Sequence, residues 1–285
     1  MTKVELHNSQ LTVQVETLGA ELQSVVDHHQ KERIWGAKKE VWGRHAPVLF
    51  PIVGRLQANQ YQWQGQSFTM TQHGFARDQE FTVTRQTATQ VSLRLKANSQ
   101  TLAQYPFQFS LVISYVLRAN SVYVTYNIQN QDQQPLIFGI GGHPGFNFDY
   151  QKPQAQLLIK YPQQVQKLSL DDSGLVDPYQ PELFQSDSVA FRQQSFVNDA
   201  WIYQNRAQNV FTLAYAGQPQ VSLVTTAPYL GVWSAYPQTD QFVCIEPWWG
   251  IADTVDSDGQ LTDKFGMQTL QPAQLFNASW GVTFY

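Results

Sequence analysis

"SVYVTYNI", residues 121–128, puts Val122, Val124, Tyr126 and Ile128 on one face and Ser121, Tyr123, Thr125 and Asn127 on the other. A period of two is the mark of a strand buried on one side. The same alternation recurs at Leu11–Val15, Val91–Leu95, Phe211–Tyr215 and Gln220–Val224. Turn-forming residues stand between such runs, at Gln64-Gly65-Gln66, at 130–135 and at Ala216-Gly217-Gln218. Amphipathic helical windows are nearly absent; the best, Ser99 to Tyr105, is short and stops before Pro106. The pattern predicts an all-β protein of antiparallel strands in sandwiched sheets, with few short helices. No linker, repeat or low-complexity tract divides residues 1–285, which read as a single domain. The turn-rich stretch 151–188 reads as loops within it.

Composition narrows the class. Charged residues are only 14% of 285, the net charge is −4, and no Lys/Arg run exists, so nothing marks a nucleic-acid partner. No apolar run reaches the length of a membrane span, and the N-terminus MTKVELHNSQ has no apolar signal core. A soluble, cytoplasmic protein is expected. The lone Cys244 cannot form an intramolecular disulfide. Eight Trp and thirteen Tyr suit a β-rich core, and equally suit a site that stacks on the C–H face of a sugar.

Five stretches could carry chemistry. In "GIGGHPG", residues 139–145, Pro144 holds His143 extended, and the flanking glycines leave room for a ligand. A dinucleotide fingerprint would need a glycine where Pro144 stands and a helix after it, whereas Phe146 to Tyr150 alternate like a strand. In "QFVCIEPWWG", residues 241–250, alternation puts Cys244 and Glu246 on one face, and Pro247 is expected to end the strand there. A carboxylate beside indoles can have its pKa raised, which suits a general base. A structural role is the plainer reading of each, a buried His and an ion-paired sheet-edge Glu. In "QHGFARD", residues 72–78, His73 and Arg77 could face one pocket from a loop. Arg55 interrupts an apolar strand-like run, Pro51–Leu56, and Asp199 stands at an apparent strand start. Metal sites are not expected: His28-His29 lacks a third ligand, and the 254–259 turn lacks the acid that closes a calcium loop.

Taken in order, "PVLFPIVGRL", "HGFARD", "GGHPGFN", "FVNDAW" and "CIEPWWGIAD" resemble the aldose 1-epimerase (galactose mutarotase) family, and most of all its bacterial mutarotase-related branch. The likeness runs from "GAELQSV" to "FGMQTLQP", nearly the whole chain. It implies a large antiparallel β-supersandwich with an open sugar cleft and cofactor-free exchange of α and β anomers of an aldohexose. It implies Glu246 as base, His143 as acid, and His73, Arg55 and Asp199 as sugar-binding groups. The family's usual histidine after that aspartate is Ala200 here. Trp248 or Trp249 would pack on a sugar face. Two rivals stand beside this reading: a hexose-6-phosphate mutarotase, with Arg55, Arg77 and Arg44 as phosphate ligands, and a non-catalytic sugar sensor. The partner expected is a small sugar, phosphorylated or not, with the protein a monomer or weak dimer, and with no metal, nucleic acid or membrane.

Overall fold

The structure, a computed structural model, describes residues 2–285. SVYVTYNI lies in the strand Ser121–Asn130, with Val122, Val124, Tyr126 and Ile128 buried and Tyr123 exposed. That strand sits inside a nine-stranded sheet, paired antiparallel to Phe109–Arg118 on one side and Leu275–Phe284 on the other. The expected strands at Leu11–Glu16, Gln90–Lys96, Asn209–Tyr215 and Gln218–Thr225 are all present. Gln64-Gly65 and Ala216-Gly217 form two-residue turns with positive φ at both positions, the geometry that matches strand twist in a hairpin. Among the described residues the one α-helix is Ser99–Gln104, whose start is capped by the Asn98 side chain accepting from the Gln100 and Thr101 amides. No helix there is long and apolar enough to cross a membrane.

A second sheet of eight strands carries the site. Its order is Val176–Leu183, Val165–Leu170, Trp201–Asn205, Tyr229–Trp233, Phe242–Trp249, Ile140–Gly142 and Val48–Leu49, with Gly145–Asn147 also paired to Phe242–Trp249. One face of this sheet packs on the nine-stranded sheet. Val243, Ile245 and Trp249 join Val122, Val124 and Tyr126 in one continuous core. The Tyr126 and Trp249 rings meet edge-on, and Trp280 Nε1 donates to the Tyr126 hydroxyl at 2.9 Å. Each such large apolar side chain, fully buried, contributes about 1.5–3 kcal/mol.

The structure corrects three local expectations. Residues 151–188 are not loops: they hold Ala155–Ile159, Val165–Leu170, Val176–Leu183 and the start of Ser188–Ala190. Pro178 and Pro181 disguise the third of these. It is an edge strand, where a missing N–H costs no ladder bond on the open side. Pro247 does not end its strand, which runs on to Trp249. Ile140–Gly142 pairs with Trp248 and Trp249, and Gly145–Asn147 with residues 242–244, so Pro247 falls opposite the gap between them. Pro51–Leu56 is an irregular loop; the strand there is only Val48–Leu49.

Candidate active site

Alternation along Phe242–Trp249 decides what reaches the site. Val243, Ile245 and Trp249 point into the inter-sheet core, while Cys244, Glu246 and Trp248 lie on the other face. Trp248 keeps its place because its indole lies over a glycine on each neighbouring strand, Gly141 directly opposite it and Gly231 opposite Glu246. A Cβ on Gly231 would sit 2.6 Å from the indole, and one on Gly141 would sit 2.7 Å from it. The glycines of "GIGGHPG" therefore make room for a side chain as well as for a turn. Above this face opens a cavity of about 280 Å³, which takes in His73, His143, Glu246, Trp248, Arg55 and Asp199 among its walls.

His143 occupies the connection between Ile140–Gly142 and Gly145–Asn147, where its amide donates to the Pro47 carbonyl at 3.1 Å. Its Nε2 lies 3.2 Å from Glu246 Oε2, and the carboxyl side chain is 1% exposed. Neither Glu246 Oε2 nor His143 Nδ1 has a hydrogen-bond partner. Trp42 stacks on the imidazole at 4.8 Å between centroids, and Trp233 meets it edge-on at 5.6 Å. This apolar wrapping governs the charge. Burial pushes the His143 imidazolium down to about 3. Burial, joined by the nearby Asp199 carboxylate, raises Glu246 well above the ordinary carboxylate range. The pair thus holds one proton between two groups in contact, in either of two arrangements.

His73 stands edge-on to His143 at 5.5 Å. The Gly54 amide donates to its Nδ1 at 3.1 Å, so the ring proton sits on Nε2. Burial first, then His143 and two arginines, keep the ring neutral. The His73 Nε2 lies 3.3 Å from the Gln72 side-chain amide, which shares the cavity wall. Gly54 itself has φ +75°, and a Cβ would lie 2.6 Å from Ala252. Arg55 donates to the Ser173 carbonyl at 2.8 Å and reaches Asp199 at 3.5 Å; both charged groups are about two-fifths exposed, at the cavity rim. Arg77 donates to the Gln72 carbonyl at 2.7 Å and also lines the cavity.

A buried ion pair supports this wall. Lys264 Nζ donates to Asp253 Oδ1 and to the Ile251 carbonyl, both at 2.8 Å, with each charged side chain 2% exposed. Asp253 Oδ2 accepts from the Gln57 amide, and the Asp253 amide donates to the Arg55 carbonyl, each at 2.8 Å. The 54–57 loop is thus clamped at two points by one aspartate.

Most of the expected residues converge: Glu246, His143, His73, Arg55, Arg77, Asp199 and Trp248 all line one cavity. Trp249 does not. It is on the opposite face of its strand, packed against Tyr126. Once the strand continues past Pro247, its alternation alone separates the two tryptophans. Arg44 pairs with Asp78 and does not line the cavity. Trp42, Trp233 and Gln72 join the walls without having been singled out. Trp233 sits directly across the ladder from Cys244, a pairing no local pattern encodes.

The family description for aldose 1-epimerase matches residues 2–265. The chain belongs to the aldose 1-epimerase family. It is 28% identical to the chromosomal LacX protein of Lactococcus lactis subsp. lactis, over 98% of both chains. Among solved structures it is similar to a galactose mutarotase related enzyme from Lactobacillus acidophilus. That match has 37% identity and a TM-score of 0.95, covering 100% of this chain and 97% of the other. It is also similar to a galactose mutarotase-like protein from Lactobacillus casei, at 26% identity and TM-score 0.91, with both chains covered in full. The supersandwich expected from the motifs is the fold of the family.

Proposed function

We propose that this protein is a mutarotase that exchanges the α and β anomers of an aldohexose. The observation that carries the reading is the contact between His143 Nε2 and Glu246 Oε2, 3.2 Å apart in the wall of the cavity. Anomer exchange needs one proton taken from the C1 hydroxyl and one given to the ring oxygen, then the reverse after the C1 carbonyl has rotated. Both oxygens are bonded to C1, so an acid and a base in contact reach both from one side of the ring. Separate stations on opposite sides are not needed. At rest, burial favours a carboxylic acid beside a neutral imidazole, and passage of that proton from Glu246 to His143 across the 3.2 Å contact gives the carboxylate and imidazolium that react. Glu246 then takes the hydroxyl proton and His143 protonates the ring oxygen, each step gaining on the order of 10²–10⁴-fold. Turnover returns the proton to the pair and consumes nothing.

The other walls support the same substrate. Neutral His73 offers a donor to a sugar oxygen, and Arg55, Arg77 and Asp199 offer partners to hydroxyls. Trp248 presents a flat apolar face to ring C–H groups. A cavity of about 280 Å³ is at the small end of ligand sites, which favours a monosaccharide. Arg55 and Arg77 also support a 6-phosphorylated hexose as substrate, since a guanidinium matches phosphate geometry.

The test is anomer exchange followed by NMR on glucose, galactose and their 6-phosphates. Glu246→Gln is expected to lose at least about 10²-fold in rate while still binding sugar. Full activity in that variant sinks the reading. Binding without exchange in the parent protein would replace it with a sensor.

A further inference from the structure

Cys244 takes no part in proton transfer, yet its strand face brings it to both groups that do. It precedes Glu246 by two residues on one face, and the connection after Gly142 lowers His143 onto that face. One ligand atom from each of His143, Cys244 and Glu246 lies within 4.8 Å of the others. These are an imidazole, a thiol and a carboxyl, all buried. Glu246 Oε2 has no hydrogen bond to surrender.

The spacing and the charge both fit one kind of ligand. Tetrahedral zinc, with bonds of about 2.0–2.3 Å, sets its donor atoms roughly 3.3–3.8 Å apart. His143 and Glu246 already approach at 3.2 Å, so chiefly the sulfur must close in, by up to roughly 1.0–1.5 Å. Thiolate plus carboxylate balance a divalent cation, so the loaded cluster is neutral. That matters in a wall too dry to hold a net charge. Loading releases the thiol proton and the single proton of the His143–Glu246 pair to solvent; no electrons move. Two of the three ligands, His143 and Glu246, line the cavity.

We propose that His143, Cys244 and Glu246 form a binding site for a thiophilic divalent cation, zinc first among them, and that the bound metal shuts the cavity to sugar. The shutting rests on the mutarotase reading above; the metal site does not. It would make the protein an enzyme switched off reversibly by free zinc.

The experiment titrates the full chain with metal in two ways. Zn²⁺ is added during anomer exchange, where competition with sugar is expected. Loss of outer partners alone costs 10–100-fold in metal affinity, so Cys244→Ala should weaken inhibition at least about tenfold with the basal rate unchanged. Cys244→Ser, which keeps the volume, gives the same result if alanine loosens the packing. Co²⁺ is added separately, read by its thiolate-to-metal charge-transfer absorption. The chain has one cysteine, so the band can come only from Cys244, and it must vanish in both variants. Equal zinc inhibition with and without Cys244, or cobalt loading with no thiolate band, overturns the proposal. A thiolate band in a protein that exchanges no sugar keeps the metal site and removes the mutarotase reading. Exchange activity with no band does the reverse.

Discussion

Glu246 is the residue where position and chemistry are most tightly tied. Its carboxyl is buried beside His143, and burial favours its uncharged form. That preference fixes the sign of the stability effect. The folded chain keeps the proton above pH 4.5, where the unfolded chain gives it up. The stability contributed is therefore fully present below 4.5 and lost as pH rises through the raised folded value. Gln at 246 is neutral at every pH and close in shape. Relative to the parent, Glu246→Gln is expected to gain stability steadily as pH rises above 4.5. The check is the urea midpoint of both proteins across pH 4–9 (a range chosen to span about four pKa units above the ordinary carboxylate). A constant difference would mean that the carboxyl ionises normally and the pair is charged. His143 works from the other side: it stays neutral down to about 3, so acid favours the unfolded chain between 6.5 and that value. Glu246→Gln leaves that limb in place.

At the scale of elements, the cavity is held by connections more than by strands. The 142–145 connection carries His143, and the 54–57 loop carries Arg55 and sets the His73 proton through Gly54. That loop has little regular structure of its own, and Asp253 holds it by two hydrogen bonds. Lys264 in turn neutralises Asp253. Lys264→Met leaves a buried carboxylate without its cation, a loss that typically costs 3–5 kcal/mol. The expected result is a lower melting temperature together with a raised KM, since Arg55 and His73 lose their common anchor. Lys264→Arg, which keeps the charge, should restore much of both. A melting temperature that falls while KM stays put would confine the ion pair to stability alone.

For the whole molecule, the two faces of one strand serve the inter-sheet core and the cavity wall. Trp249 is pressed between the sheets against Tyr126, and Trp248 lies at the cavity wall. Trp249→Ala is expected to cost about 3–5 kcal/mol, as for other large aromatic deletions in a core, and to leave KM for sugar nearly unchanged. Trp248→Ala is expected to raise KM as well as to lower stability, since Trp248 is as buried as Trp249. Thermal melts and kinetics on the two variants check this, and the opposite pattern would show that the strand alternation has been assigned to the wrong faces.

The period of two along Ser121–Ile128 and its counterparts, with glycine at the hairpin turns, determined the sheet architecture, because alternation is a local property of an extended chain with one face buried. The frame around His143 and the alternation of Cys244 with Glu246 were equally legible, being written in adjacent residues. The strands inside 151–188 were hidden by edge prolines, and the last part of Phe242–Trp249 by Pro247, since proline forbids a ladder bond only on a side that needs one. Only the tertiary structure decided that His143 touches Glu246, that Trp42 and Trp233 close over the imidazole, and that Lys264 reaches Asp253. Those contacts arise from the register of long-range ladders. The charge states they impose come from burial, which no run of neighbouring residues contains.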